Sequence, residues 1–152
     1  MLNLTLITVG SLKEPALKTL ASQYQKRLSP YARLKIIELP AFPFSEQEGS
    51  RKKSQEKLKA SLETVLSSYP KENVYLLSEH GRLYDTSGFT ELCSRPLVLV
   101  IAGALGWPDS FTKDYQCLSL SPLTMPHELA RVVLLEQLYR AATIKANKTY
   151  HY

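Results

Sequence analysis

Short apolar runs alternate with longer amphipathic segments along most of the chain, and this alternation predicts strands followed by helices. Two of the apolar runs, 74–78 (VYLLS) and 97–101 (LVLVI), lack the alternation of a half-exposed strand, as expected for strands that helices cover on both faces. The order of elements predicts a single α/β domain with a parallel sheet and crossover connections. The predicted strands are 2–9, 33–39, 74–78, 97–101 and a fifth near Leu118.

Apolar positions spaced three and four residues apart predict the helices between these strands. The first helix begins near Pro15 and extends to about Leu28. Ser45 and Glu48 have the spacing of a capping box, which predicts the start of a second helix that ends near Pro70.

The last helix is predicted over residues 126–145, with Thr124 as its N-cap. Apolar residues cover nearly its whole circumference, so it must be buried on more than one side. In so small a domain this predicts a subunit interface and a homodimer.

His127, in the first turn of this helix, is expected to have a structural capping role. Glu136 and Arg140 are spaced i, i+4, which is typical of an ordinary ion pair; in a site, Arg140 would instead hold a phosphate or stabilise negative charge on a base.

Composition favours a folded protein with an anionic partner. The chain has 152 residues, 44% of them hydrophobic, and a formal charge of +5, which suits RNA. The basic residues of segment 51–59 are more typical of a solvated helix face than of a binding patch. Cys93 and Cys117 lack CxxC spacing, so neither a disulfide framework nor a metal site is expected. With no signal-peptide pattern and no membrane-spanning run, we expect a cytoplasmic protein.

Ligands of open parallel sheets gather beyond the carboxyl ends of the strands, and three loops are predicted there. These loops follow Leu77, span residues 101–106 and span residues 118–125. Gly103 would let backbone approach a ligand, although strand-to-helix turns also use glycine for steric reasons alone. In the third loop hydroxyl and apolar side chains interleave, which suits ribose and adenine; alternatively, Ser121-Pro122 is a turn and Thr124 only a helix cap.

The chain ends in Tyr150-His151-Tyr152, which is unusual because chain ends are commonly small, polar and frayed. Either this segment is disordered or its aromatic residues dock. A docked His151 near the Gly103 loop would serve as a general base, and the tyrosines would stack on a nucleobase.

The run SLSPLTMPHELARVVLLEQLYRAATI and the terminal YH resemble the RlmH (YbeA-type) family of SPOUT methyltransferases, and LITVG, LLS and the 101–106 loop occur in the same order. The resemblance implies one SPOUT domain over residues 1–152, with a parallel sheet, a C-terminal trefoil knot and a homodimeric state. It also implies S-adenosylmethionine as cofactor and, as substrate, a pseudouridine of 23S rRNA that is methylated at N3 in the assembled ribosome. The implied cofactor-binding residues are Leu77, Gly103, Leu120, Ser121, Pro122, Leu123, Thr124 and Met125, and the implied catalytic residues are Arg140, Tyr150 and His151.

Two positions depart from the family pattern. Ala102 stands where members commonly have glycine, so the backbone there must tolerate a Cβ; Tyr152 replaces a terminal basic residue and removes one phosphate contact. We hypothesise that His151, or a water that it orients, removes the imide proton while Arg140 stabilises the resulting anion. The alternative is a basic RNA- or ribosome-binding module without catalysis. A flavodoxin-like nucleotide binder ranks third, because segment 10–13 is a poor phosphate loop.

Overall fold

The computed structural model describes residues 1–151 and contains a five-stranded parallel sheet in the order β2-β1-β4-β3-β5. The predicted α/β class and parallel sheet are confirmed. The strands are β1 (Leu2–Val9), β2 (Ala32–Leu39), β3 (Val74–Leu83), β4 (Leu97–Ile101) and β5 (Gln116–Ser119). The helices are α1 (Pro15–Leu28), α2 (Ser50–Leu66), α3 (Thr86–Leu92), α4 (Phe111–Asp114) and α5 (His127–Lys145), with a 3₁₀ turn at Lys71–Asn73.

Helices cover both faces of the sheet, which explains why the central strand β4 is apolar throughout. Every residue of β4 is buried, and so are the last six of β1. Helices α1, α3 and α5 pack on one face around Leu4, Leu6 and Leu99. Helix α2 and Phe111 of α4 pack on the other face. The outer surface of α2 carries the exposed basic residues of segment 51–59, as a solvated helix face would.

Two predicted helix caps are wrong. Helix α2 begins at Ser50 after Gly49, whose φ of 79° places it in the left-handed region. The Ser45 hydroxyl instead accepts a bond from the backbone N–H of Gln47, 3.2 Å away, and closes a local turn before the helix. Helix α5 begins at His127, with Pro126 and not Thr124 as its N-cap. A residue that precedes a proline is disfavoured in helical conformation, so the helix cannot extend back through residue 125.

Strand β3 is longer than predicted because it contains a four-residue bulge. Both Leu77 and Arg82 pair with Leu118 of β5, so segment 78–81 is left outside the ladder. Gly81 lies directly against β5, since a Cβ on it would stand 2.7 Å from the Cys117 carbonyl carbon and the Leu118 nitrogen. Only glycine permits this approach without a backbone shift.

A buried arginine joins α5 to the sheet. The side chain of Arg131 is 9% exposed, and its Nη1 donates to a Glu38 carboxylate oxygen at 2.7 Å and to the Thr8 hydroxyl at 3.4 Å. Its Nε has no hydrogen-bond partner among the described residues. Arg131 therefore joins the ends of β1 and β2 to the first half of α5 through one ion pair and one hydrogen bond.

Over residues 1–151, no helix has the length and apolar character needed to cross a membrane, and no cluster of three or more His, Cys, Asp or Glu side chains is arranged to hold a metal ion. The expected loss of one phosphate contact concerns Tyr152, which lies outside the described residues.

Candidate active site

The strand order places the three predicted loops side by side. Strands β4, β3 and β5 are neighbours in the sheet, so the segments that follow them meet at one edge. Together with the first turn of α5 they enclose a cavity of about 520 Å³, within the size range of small-molecule and cofactor sites. Its lining residues are Leu77–His80, Ile101–Ala104, Gly106, Trp107, Thr112, Leu120, Ser121, Leu123–Met125, His127 and Ala130.

Seven of the eight predicted cofactor-binding residues line this cavity; Pro122 does not and is exposed. The Ser121 hydroxyl accepts the backbone N–H of Leu123 at 3.0 Å, so the predicted Ser121-Pro122 turn is present at the edge of the cavity. The seven that line the cavity are Leu77, Gly103, Leu120, Ser121, Leu123, Thr124 and Met125.

The two glycines of the second loop, Gly103 and Gly106, are needed for different physical reasons. A Cβ on Gly103 would lie 3.2 Å from a methyl carbon of Val9 and 3.3 Å from the Val9 carbonyl oxygen, so this glycine allows the loop to pack closely on β1. Gly106 has a φ of 71° and open space around it, so the requirement there is conformational. Ala102 has no such constraint, because the only non-glycine residues of the described chain with positive φ are Ser110 and Asn147.

Sequence reasoning missed Trp107, the only tryptophan of the chain. Its indole N–H donates to the Leu77 carbonyl oxygen at 3.0 Å and so joins the first loop to the second. The sequence signal that could have identified Trp107 is its position directly after Gly106, in a loop that was already predicted to bind a ligand. Glu79 and His80, which belong to the β3 bulge, also line the cavity.

The three predicted catalytic residues form a second cluster with Glu136. One Glu136 carboxylate oxygen accepts bonds from Arg140, at 2.7 and 3.2 Å, and from the Tyr150 hydroxyl at 3.1 Å. Arg140 Nη1 lies 2.9 Å from Nδ1 of His151, and its guanidinium lies over the Tyr150 ring. The Tyr150 ring also packs edge-on against Tyr139, with centroids 4.6 Å apart. Of the two alternatives for this segment, docking is the one observed: Tyr150 packs on α5, and His151, although exposed, contacts Arg140.

These contacts determine the proton positions in the cluster. Burial, followed by the bond to the Glu136 carboxylate, raises the pKa of Tyr150 to about 12, so its hydroxyl stays protonated near neutral pH. Because a guanidinium only donates, Nδ1 of His151 must accept from Arg140, which assigns the proton of a neutral ring to Nε2. In this arrangement neither nitrogen of His151 is free to accept a proton.

Within one chain the two clusters are far apart. Ala130 is the last residue of α5 that lines the cavity, and Arg140 lies ten residues further along the helix, which corresponds to about 15 Å. None of the predicted catalytic residues lines the cavity. Within one chain His151 therefore does not lie at the Gly103 loop, because α5 carries the tail away from it, and the role of His151 beside that loop stays a prediction.

The chain that forms this sheet and cavity matches a known enzyme family. A family model described as predicted SPOUT methyltransferase matches residues 2–151, and the chain therefore belongs to the SPOUT methyltransferase family. Two similar proteins are both named ribosomal RNA large subunit methyltransferase H. The one from Pelobacter propionicus is 34% identical over 158 residues, which cover 99% of this chain and all of the relative. The one from Clostridium novyi is 35% identical over 160 residues, with 99% of each chain covered.

A crystal structure of a candidate RNA methyltransferase from Bacillus anthracis has the same overall fold. The TM-score is 0.58 at 12% sequence identity, and the match covers 99% of this chain and all of the other. The predicted SPOUT fold class is thus confirmed.

Proposed function

We propose that this protein transfers a methyl group from S-adenosylmethionine to N3 of a pseudouridine in the 23S rRNA of the assembled ribosome, in the cytoplasm. The observation that carries the proposal is the cavity of about 520 Å³ at the ends of β3, β4 and β5, in a chain that belongs to a methyltransferase family. The names of the relatives from Pelobacter propionicus and Clostridium novyi support rRNA as the substrate.

The residues of the cavity fit this cofactor. Leu77, Ile101 and Leu120 provide apolar walls for an adenine ring, and Ser121 and Thr124 bring hydroxyl groups suited to ribose. When bound, the cofactor supplies the activated methyl group, and the protein supplies position and charge. From membership of the family we also propose that the C-terminal third of the chain is threaded into a trefoil knot.

Methylation of an imide nitrogen requires removal of its proton. We assign this step to His151, with Arg140 stabilising the anion that forms on the carbonyl oxygens and Tyr150 holding the guanidinium in place. Since Nδ1 of His151 accepts from Arg140, substrate binding must exchange that bond before the ring can take a proton. Arg140 would then turn from His151 toward the substrate while it keeps its ion pair with Glu136.

Single-turnover methylation of ribosomes tests the base assignment. His151→Ala is expected to slow the reaction by about a hundredfold or more, the usual contribution of a general base. Lys148→Ala, an exposed change in the same tail, is the matched control and should leave the rate unchanged. An unchanged rate in His151→Ala would refute the assignment.

We further propose that the protein is a homodimer in which the tail of one subunit completes the cavity of the other. Two observations support a shared site. Arg140 lies about 15 Å along α5 from Ala130, the last helix residue that lines the cavity. Apolar side chains are also exposed near the start of α5, namely Leu123 (78% exposed) and Leu129 (39%). Mixing His151→Ala subunits with Ala104→Trp subunits, in which the indole occupies the cavity, should restore activity that both parents lack. If all mixtures stay inactive, each chain uses its own tail.

Calorimetry with S-adenosylmethionine tests the cofactor assignment and separates the proposal from a non-catalytic RNA-binding module. We expect saturable binding with one molecule per chain. A methyl-incorporation assay on whole ribosomes and on separated subunits then identifies the form of the substrate, and the proposal requires incorporation into the whole ribosome.

A further inference from the structure

The charge of the cavity differs from that of the rest of the molecule. Among the described residues that line it, Glu79 is the only acidic one, and none is lysine or arginine. The chain as a whole has a formal charge of +5. With neutral histidines the lining therefore carries a formal charge of −1, so the cavity is suited to a ligand with a net positive charge.

The β3 bulge holds Glu79 in place. The Glu79 carbonyl oxygen accepts a bond from the Ser119 hydroxyl at 3.3 Å, and the backbone N–H of His80 donates to the Ser78 hydroxyl at 3.2 Å. Contact between Gly81 and the β5 backbone closes the same turn. The position of Glu79 is thus determined by two strands.

The Glu79 carboxylate is available to a ligand. Its side chain is 39% exposed, and the ionisable side chain beside it is His80, with Nε2 3.7 Å from the carboxylate and a side chain that is 89% exposed. So exposed a contact is weak and easily displaced. Glu79 can therefore turn toward a cation in the cavity at little cost.

We infer that Glu79 makes the cavity selective for the sulfonium form of the cofactor over its thioether product, an inference that rests on the proposed function. S-adenosylmethionine carries a sulfonium, an ammonium and a carboxylate, and its net charge is +1. Upon transfer the sulfur–methyl bond breaks, the electron pair stays on sulfur, N3 takes the methyl group, and the imide proton goes to the base. The product, S-adenosylhomocysteine, has no net charge and loses its attraction to the carboxylate.

The consequence is efficient exchange of product for fresh cofactor. Because the sulfonium charge is already fading in the transition state, a fixed carboxylate stabilises the bound cofactor more than the transition state. Glu79 thus acts on cofactor choice and product release, and it does not accelerate the transfer itself.

The test compares the affinities of both ligands in wild type, Glu79→Gln and Glu63→Gln. Glu63→Gln removes the same charge from α2, at a position that lines no part of the cavity. Dissociation constants come from calorimetry and from the fluorescence of Trp107, the single tryptophan, which lines the cavity. Glu79→Gln should bind S-adenosylmethionine about fivefold to tenfold more weakly, as expected for one partly screened charge contact, and S-adenosylhomocysteine with unchanged affinity. Glu63→Gln should match wild type for both ligands.

Equal losses for the two ligands in Glu79→Gln, or no loss for either, would overturn the inference. Wild-type protein provides a second measurement if the variant does not fold: added salt should weaken binding of S-adenosylmethionine more than binding of S-adenosylhomocysteine, because only the former gains from an opposite charge. An equal salt effect on both ligands would also refute it. Absence of binding by wild type to either ligand would instead contradict the proposed function.

Discussion

Gly81 connects the stability of the sheet to the shape of the cavity, and Gly81→Ala is therefore an informative substitution. The backbone of Gly81 does not adopt positive φ, so alanine meets no left-handed-backbone penalty there. The new Cβ would instead lie 2.7 Å from two backbone atoms of β5, the Cys117 carbonyl carbon and the Leu118 nitrogen. Backbone cannot rotate away as a side chain can, so either the bulge or β5 must move.

The expected cost follows from this contact. Ordinary carbon contacts lie near 3.5–4.0 Å, so relief requires a backbone displacement of roughly 1 Å. Overpacking of this kind typically costs about 1–3 kcal/mol. Alanine also lowers the conformational entropy of the unfolded chain, which offsets about 0.4–1 kcal/mol of this cost. We expect a net decrease in the free energy of unfolding of about 1–2 kcal/mol. Affinity for S-adenosylmethionine should fall as well, because Glu79 and His80 belong to the same bulge.

Urea denaturation measures the first effect and calorimetry with S-adenosylmethionine the second. Gly49→Ala is the matched control, because Gly49 precedes α2 and lies outside the cavity. A Cβ at Gly49 would have no atom within 4 Å, but the φ of this residue is 79°. Its left-handed conformation should cost alanine about 1–2 kcal/mol without any effect on cofactor affinity. If Gly81→Ala has both wild-type stability and wild-type affinity, the close packing of the bulge on β5 is refuted.

Three further predictions concern the surroundings of Arg131, Tyr150 and Cys93. Glu38→Gln should lower the free energy of unfolding by about 1–3 kcal/mol in urea denaturation, because it weakens the charged partner of the buried Arg131; a value within error of wild type would contradict that coupling. Tyr150 should contribute stability that is complete below pH 10 and is lost as pH rises toward 12, since its pKa in the folded state is raised to about 12; the ultraviolet titration of Tyr150→Phe should lack this late step, and an unaltered titration would be evidence against it. Burial likewise raises the pKa of Cys93 to about 12, so a thiol reagent should modify Cys117 first and Cys93 only upon unfolding, whereas equal rates would contradict the burial of Cys93.

Local patterns along the chain predicted most of the elements correctly. The apolar run over 97–101 is a buried strand, and the apolar periodicity from Pro15 to Leu28 is a helix with those bounds. Both patterns depend on the spacing of apolar residues within one segment, so the segment alone is enough to predict the element. The start of α2 was misplaced because the Ser45 hydroxyl bonds within its own turn and not to a helix end, a choice between two local geometries that the residue types do not decide.

The candidate site was predicted in part. The loops that form the cavity were recognisable because the carboxyl ends of parallel strands share an edge, and seven of the eight predicted cofactor residues line the cavity. Trp107 and Glu79 were missed, since their roles depend on a contact across loops and on a bulge that shifts the pairing of β3 with β5. The position of the tail relative to the cavity of its own chain could not be predicted, because nothing in its residue types says in which direction α5 carries it.

By itself the sequence determined the α/β class, the parallel strands, the three loops and membership of a methyltransferase family, because each depends on periodicity or on motifs contained in a single segment. Only the tertiary structure decided that β4 lies between β1 and β3, that Gly81 packs on β5, and that Arg140 lies about 15 Å along α5 from the cavity lining of its own chain. These features arise from pairing between segments distant in sequence. Such pairing depends on the packing of the whole sheet, so it cannot be deduced from any single segment.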